Sequence, residues 1–308
     1  MNNPDISILI CAYNSDKSLE ILTKNIIEIF SNLEETFNII FVDDGSSNKN
    51  TWTTIESLHS AYPKLVKGYS LMRNFGRPSA LLCGFKKCDG KYLIMMDDDL
   101  QHDPYYIPEF LKYKIHDVVI AHFVTKEHNF IKRTFSDIKG YFDYKLIGKP
   151  KDIKNSSYKM IKRPIIDSIN QMNIFNPFIS GLLFHATRDL VNVKIIQKKR
   201  EYGKSGFTLN KMLSQFMNLM FNNSSFMLRV ISYLGILFSF FGLILTLFYL
   251  YRYVFYDSNV PGWTSLIVLN LVTSGIILFS LGVFGEYFIR IIKLAENRPS
   301  YVIRSKCE

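Results

Sequence analysis

The chain has 308 residues, 48% of them hydrophobic and 21% charged, with a formal net charge of +10. That length accommodates one mixed α/β domain of about 220 residues and an appendage. The positive balance suits an anionic partner such as a nucleotide diphosphate or an acidic lipid; no zinc finger, basic helix or aromatic RNA-binding motif extends that reading to nucleic acid.

In chain order, apolar runs rich in Ile, Val, Leu and Tyr predict strands over 6–12, 37–42, 65–71, 92–96 and 118–122. Between them, apolar residues at helical spacing predict helices over 17–30, 51–61 and 78–88. This alternation implies βαβ units and a mostly parallel sheet, whose ligands bind beyond the carboxyl ends of the strands. A basic, aromatic helix pattern follows over 129–146, then a return strand over 152–162 and another strand over 191–197. Segment 207–221 aligns Leu209, Met212, Leu213, Phe216 and Met220, which suits an amphipathic helix on a membrane surface.

Most of the hydrophobic excess lies after Phe226. Segments 228–251 and 263–285 are each long enough at 1.5 Å per residue to cross the roughly 30 Å bilayer core, and the short linker between them predicts a hairpin. Lys204, Lys211 and Arg229 precede the hairpin; Arg290, Lys293, Arg298, Arg304 and Lys306 follow it; Arg252 alone lies between. The positive-inside rule then places both ends in the cytoplasm. The expected organisation is a cytoplasmic catalytic domain over 1–206, a juxtamembrane helix region over 207–227, two transmembrane helices within 228–289 and a basic tail over 290–308. Cys11, Cys83, Cys88 and Cys307 show neither metal spacing nor a secreted framework, and read as reduced residues. The polar N-terminus leads into a run too short for a signal peptide, which predicts a cytoplasmic catalytic part; together with the two predicted spans, the expectation is a multi-pass protein of the cytoplasmic membrane.

Chemistry-bearing residues gather at four predicted strand ends. Asp97, Asp98 and Asp99 repel one another unless a cation meets them, and Mg²⁺ or Mn²⁺ takes carboxylate oxygens together with substrate phosphates. Asp97 and Asp99 project to the same side of an extended strand end. An acidic capping loop would read the same way. Asp43 and Asp44 precede Gly45, which supplies a permissive turn, while Ser46 or Ser47 can cap the next helix. Tyr13 and Asn14 close the first strand, and Arg73, Asn74, Phe75, Gly76 and Arg77 set two guanidinium groups around a glycine turn.

Together, Ala12-Tyr13-Asn14, Val42-Asp43-Asp44-Gly45-Ser46, Arg73-Asn74-Phe75-Gly76 and Asp97-x-Asp99-Leu100-Gln101 resemble the ordered motifs of glycosyltransferase family 2. The resemblance is to its polyprenyl-phosphate branch, which includes dolichol-phosphate mannose synthase and bacterial undecaprenyl-phosphate glycosyltransferases. Ser157 to Arg163, Arg200 to Ser205, Pro261 to Ser265, Leu281 to Tyr287 and Arg298-Pro299 extend it over nearly the whole chain. It implies a GT-A fold (Rossmann-like, α/β), a nucleotide-sugar donor (UDP-linked sugars being commonest), a divalent metal and inverting transfer to a polyprenyl phosphate. Asp97 and Asp99 would be catalytic and, with Gln101, hold Mg²⁺ or Mn²⁺. Tyr13, Asn14, Asp43, Asp44, Gly45, Arg73, Asn74 and Asp97 would bind the nucleotide-sugar. Lys132, Arg133, Arg200 and Lys204 are candidates for the acceptor phosphate. Departures from the pattern are Cys11 for proline, Ser15 for glutamate, Asp98 for a small residue, His102 at a variable position and Gly206 where a lysine often follows the serine.

The acceptor, a phosphate with its second pKa near 6, is largely dianionic at neutral pH and needs no strong base. Two other readings compete: a polysaccharide synthase, whose Gln-x-x-Arg-Trp element has no counterpart around Trp52 or Trp263, and a membrane scaffold with a degenerate transferase domain. Membrane lipids are expected partners, and the membrane helices could also support a homo-oligomer.

Overall fold

The computed structural model describes residues 3–124, 148–172, 178–196, 262–295 and 299–308, with position 144 and scattered positions between 231 and 255. The chain divides into two compact units, one of Met1–Phe207 with Asn297–Glu308 and one of Thr208–Glu296.

The first unit is built on an eight-stranded sheet. Its strands are β1 (Ile6–Ala12), β2 (Phe37–Asp43), β3 (Val66–Leu71), β4 (Tyr92–Asp97), β5 (Val118–Val124), β6 (Lys159–Lys162), β7 (Leu190–Ile196) and β8 (Ile303–Cys307). They lie in the order β7-β5-β6-β4-β1-β2-β3-β8. β3, β2, β1 and β4 run parallel, as do β5 and β7; β6 runs against β4 and β5, and β8 against β3. This is a mostly parallel α/β sheet, as the strand–helix alternation predicts.

The helices α1 (Asp16–Phe30), α2 (Lys49–Ala61) and α3 (Arg77–Lys87) form the first three crossovers. β1 is apolar apart from Ser7, whose buried hydroxyl accepts from the Gly90 N–H at 2.9 Å, because both of its faces are covered. Ile6, Ile8 and Ile10 join a core with Leu19, Leu22 and Ile26 of α1, while Leu9 packs where Gly84 of α3 has no side chain. Short α4 (Ile107–Leu111), α5 (Arg163–Gln171) and α6 (Ile179–Ala186) complete the layer.

Four sequence expectations are corrected. The strand foreseen over 152–162 is confined to Lys159–Lys162. Before it, the Asn192 side chain accepts from the Lys154 N–H at 2.7 Å and donates to its carbonyl at 2.8 Å, in place of a strand ladder. Asn48, not Ser46 or Ser47, caps α2, accepting from the Asn50 N–H at 2.8 Å. The basic tail contains a strand, β8, that belongs to the first unit. The helix expected to end near 285 continues to Ala295, since the next proline is Pro299.

That helix, α7 (Trp263–Ala295), is the main described element of the second unit. Val272–Ile289 within it is long and apolar enough to cross a membrane by length and composition, and almost none of it is buried. Tyr233–Gly242 is a shorter apolar helix. Ile231 and Leu234 line an apolar groove with Val272, Gly275, Ile276 and Phe279. The helix patterns foreseen over 129–146 and 207–221 lie outside the described residues, Tyr144 apart.

Candidate active site

Parallel pairing fixes which strand ends become neighbours. Ala12 is level with Asp43, Asp43 with Ser70, and Cys11 with Asp97. The carboxyl ends of β3, β2, β1 and β4 therefore form one edge, the expected ligand edge of a parallel sheet. Tyr13, Asn14, Asp43, Asp44, Gly45, Arg73, Asn74, Asp97, Asp99 and Gln101 all lie at it or in the turns just beyond. Lys132, Arg133, Arg200 and Lys204 lie outside the described residues.

On the β2 side, Asp43 faces inward. Its Oδ1 accepts from the Ser46 N–H at 3.0 Å and the Ser46 hydroxyl at 2.5 Å, and its Oδ2 accepts from the Ser70 hydroxyl at 2.8 Å. Three donors hold this buried carboxylate as a brace for the turn. Asp44 extends the ladder by one bond, its N–H donating to the Ala12 carbonyl at 3.0 Å. Its Oδ1 accepts from the Phe75 N–H at 2.9 Å. Burial pushes the Asp44 carboxyl up to about 6, against the pull of the Phe75 and Gly76 N–H groups.

Gly45 has φ +62°, and a Cβ built there would lie 2.1 Å from the Arg73 carbonyl carbon. Only glycine lets the β2 turn lie flat against the 73–76 turn. In that second turn the Asn74 side chain accepts from the Gly76 N–H at 3.1 Å, and the Arg73 guanidinium lies 4.8 Å from the Phe75 ring centre.

The β1 turn links the two sides. Asn14, at φ +56°, donates its N–H to Ser46 Oγ at 2.9 Å and accepts from the Asn48 N–H at 3.1 Å. Its amide is thus occupied in shaping the β2 turn. The Tyr13 side chain is left free to project, 47% exposed. Asp98 reaches across from β4, its Oδ2 accepting from the Tyr13 N–H at 3.2 Å and from the Ser15 hydroxyl.

The β4 end carries the charge. Asp97 pairs with the Arg77 guanidinium through Oδ1 and accepts from the Ser157 hydroxyl at 2.9 Å through Oδ2. His102 accepts from the Asp97 N–H at 2.9 Å through Nδ1, so its ring proton lies on Nε2, 3.4 Å from Ser157 Oγ and 3.5 Å from Asp97 Oδ2. Tyr158 and Phe123 stack on that ring at 4.9 and 5.6 Å. Burial works against the charge on Asp97, but His102, Arg77 and the Ser157 hydroxyl outweigh it and hold the carboxyl below its usual range. Burial pushes the His102 pKa down, favouring the neutral ring. Asp99 Oδ1 accepts from the Gln101 N–H at 3.1 Å around Leu100, whose φ of +63° is unusual for a branched side chain.

Arg77, Asp98, His102 and Ser157 are thus site residues that the motif reading left without a role. The two guanidinium groups around Gly76 were a signal for Arg77; Ser157, 60 residues from Asp97, left none in local spacing. Lys159, in the same later motif, is buried beside Met95 and donates to Ser180 Oγ at 2.8 Å.

The glycosyl transferase family 2 profile matches residues 7–173, which carry all four strand ends and the Ser157 contact. The uncharacterised glycosyltransferase YkcC of Bacillus subtilis (strain 168) is 31% identical, over 97% of this chain and 93% of its own length. The bactoprenol glucosyl transferase of Shigella phage SfII is 28% identical, over 97% of each chain. An undecaprenyl-phosphate 4-deoxy-4-formamido-L-arabinose transferase of Photorhabdus laumondii is 25% identical, over 97% of this chain and 93% of its own. With its strand-end edge inside the profile and relatives matching 97% of its length, the chain belongs to glycosyl transferase family 2, and its relatives include polyprenyl-phosphate sugar transferases.

Proposed function

We propose that the chain transfers a sugar, with inversion, from a nucleotide-sugar to a polyprenyl phosphate such as undecaprenyl phosphate at the cytoplasmic face of a membrane. The observation that carries this reading is the single edge formed by β3, β2, β1 and β4, in a chain similar throughout its length to transferases named for bactoprenol and undecaprenyl phosphate. The donor is UDP-linked on this reading.

Tyr13 offers an exposed ring to the base, and the Asp44 and Arg73 turns flank the nucleotide. The acidic turn fits a divalent ion by its chemistry. Asp97, Asp99 and Gln101 offer only oxygen ligands, which hard cations prefer. Among the described residues no three His, Cys, Asp or Glu side chains form a metal cage, so on this reading the donor's phosphates would have to supply the remaining ligands. Asp97, Asp99 and Gln101 would hold Mg²⁺ or Mn²⁺, which would supply Lewis-acid stabilisation of the departing nucleotide diphosphate.

The protein's own contribution is orientation and charge. Arg77 balances Asp97 at the point where phosphates arrive, while Ser157 and His102 fix the carboxylate's direction. The acceptor phosphate attacks the anomeric carbon in line, already ionised. Lys132, Arg133, Arg200 and Lys204 receive it on this reading. On this reading α7, long and apolar enough over Val272–Ile289 to cross a membrane, keeps the chain beside its lipid acceptor.

Membranes containing the chain, incubated with radiolabelled UDP- and GDP-sugars and undecaprenyl phosphate, should yield label in an organic-extractable lipid phosphate. The anomeric configuration of that product should be opposite to the donor's. Label in a polymer would favour a polysaccharide synthase, and release of nucleotide diphosphate without labelled lipid would remove the acceptor assignment.

A further inference from the structure

Residues 299–308 follow α7 in sequence yet belong to the first unit. They add β8 to β3 in register Gly68↔Cys307, Tyr69↔Lys306, Ser70↔Ser305 and Leu71↔Ile303. The register slips between Ser70 and Leu71, so Arg304 is the extra residue of a bulge. Bulges re-aim a side chain and are over-represented beside active sites. Here the Arg304 guanidinium donates to the Met72 carbonyl, and the Met72 N–H donates to the Val302 carbonyl at 2.8 Å. Both backbone groups of Met72 are therefore held by the C-terminal strand.

Met72 opens the turn that carries Arg73, Asn74, Phe75 and Gly76. One side of that turn rests on Gly45, and its Phe75 N–H meets Asp44. The neighbouring Ser70, level with Ser305, braces Asp43. The far end of β8 is anchored independently: Glu308 accepts from the Tyr69 hydroxyl at 2.7 Å and pairs with Lys87 at 3.3 Å. Gly68 leaves room for Cys307, whose sulfur would lie 2.7 Å from a Cβ built there.

From this geometry we propose that β8 is a working part of the nucleotide edge, and that Arg304 is a positioning residue setting the 72–76 turn. The inference rests on the reading of that edge as the nucleotide site. The C-terminal segment thus acts on donor binding, a role separate from any that α7 has in the membrane.

The test uses the full chain in detergent and four variants: Arg304→Ala, Arg304→Lys, Arg304→Gln and, as a control on the same strand, Lys306→Ala, since the Lys306 ammonium pairs with Glu308 at 2.9 Å rather than with Met72. Hydrogen exchange is followed in peptides covering 70–77, with UDP and GDP binding measured by calorimetry in the presence of Mn²⁺. Arg304→Ala should expose the Met72 and Phe75 amides to exchange and weaken nucleotide binding by about tenfold, with the melting temperature within about 2 °C of the parent. Arg304→Lys, which keeps one charged donor, should recover most of the affinity, and Lys306→Ala should match the parent.

Unchanged exchange at 72–76, unchanged affinity in Arg304→Ala, or an equal effect of Lys306→Ala would each overturn the proposal. If Arg304→Ala loses the strand altogether, failure of Arg304→Lys to bind more tightly than Arg304→Gln would overturn it as well. A parent chain that binds neither nucleotide overturns the transferase reading instead, and exchange at 72–76 still decides whether Arg304 holds the turn.

Discussion

Asp44 at the end of β2 and Asp97 at the end of β4 lie along one edge of the same sheet, and their surroundings push them in opposite directions. Among the described residues, Asp43 and Asp44 at the β2 end meet hydroxyl and backbone N–H donors, and burial raises Asp44 to about 6. Asp97 at the β4 end meets a guanidinium, a histidine and a hydroxyl, and is lowered. Position at a strand end does not set a carboxylate's role; the charge of what faces it does. The β2 pair is built into the scaffold of the turns. The β4 end keeps a charged face suited to phosphates and a cation.

The comparison breaks most sharply at Asp97. Asp97→Asn keeps the shape and the Ser157 contact but removes the charge facing Arg77. Transfer should fall about 10²- to 10³-fold, with the melting temperature near the parent's. Nucleotide diphosphate release by purified protein measures this, and near-normal turnover would show that the acidic turn is scaffold like its neighbour. On the β2 side the expected damage is to folding. Gly45→Ala forces a left-handed residue against the Arg73 backbone and should cost about 2 kcal/mol, read from thermal unfolding in detergent.

Asp98 stands between the two regions, belonging to the acidic turn but hydrogen-bonded to the Tyr13–Ser15 turn. If that link is real, Asp98→Asn and Ser15→Ala should not add. A double-mutant cycle on stability should show a coupling of about 1 kcal/mol. Strict additivity would mean that the β1 turn holds its shape without the acidic turn.

Much of this was legible in the sequence, and the reasons for the rest are physical. β1 matches its predicted bounds because an apolar run covered on both faces leaves little ambiguity. β2 and β4 each run one residue further, to Asp43 and Asp97, since ladder pairing with Ser70 and Cys11 is indifferent to side-chain polarity. β8 was hidden because an edge strand carrying Arg304 and Lys306 reads as a basic tail; charge on an edge strand is how sheets avoid further pairing. The motif residues Tyr13, Asp44, Asp97 and Asp99 do converge on one edge. Their partners could not be read, because Arg77 and Ser157 reach Asp97 across 20 and 60 residues of chain. Such contacts are made by tertiary packing, which local spacing does not encode.

The smallest effect concerns pH, and it isolates the raised Asp44 carboxyl at the β2 end. The Asp44 carboxyl titrates near 6 in the folded chain against an ordinary value of 3.8. Between those values the folded state holds the proton more often than the unfolded state. Stability from this group is therefore greatest below about pH 4, falls as pH rises toward 6 and is level above it. Asp44→Asn preserves an oxygen for the Phe75 N–H and removes the titration. Relative to the parent, the variant should gain on the order of 1 kcal/mol in going from pH 4 to pH 7, after allowance for solvent screening. Taking the difference between the two proteins removes the opposite trends of Asp5, Asp97 and Glu308, whose carboxyls are lowered. A difference that does not change with pH would mean that Asp44 is ionised as readily as a surface aspartate, and the contrast between the two strand ends would then rest on Asp97 alone.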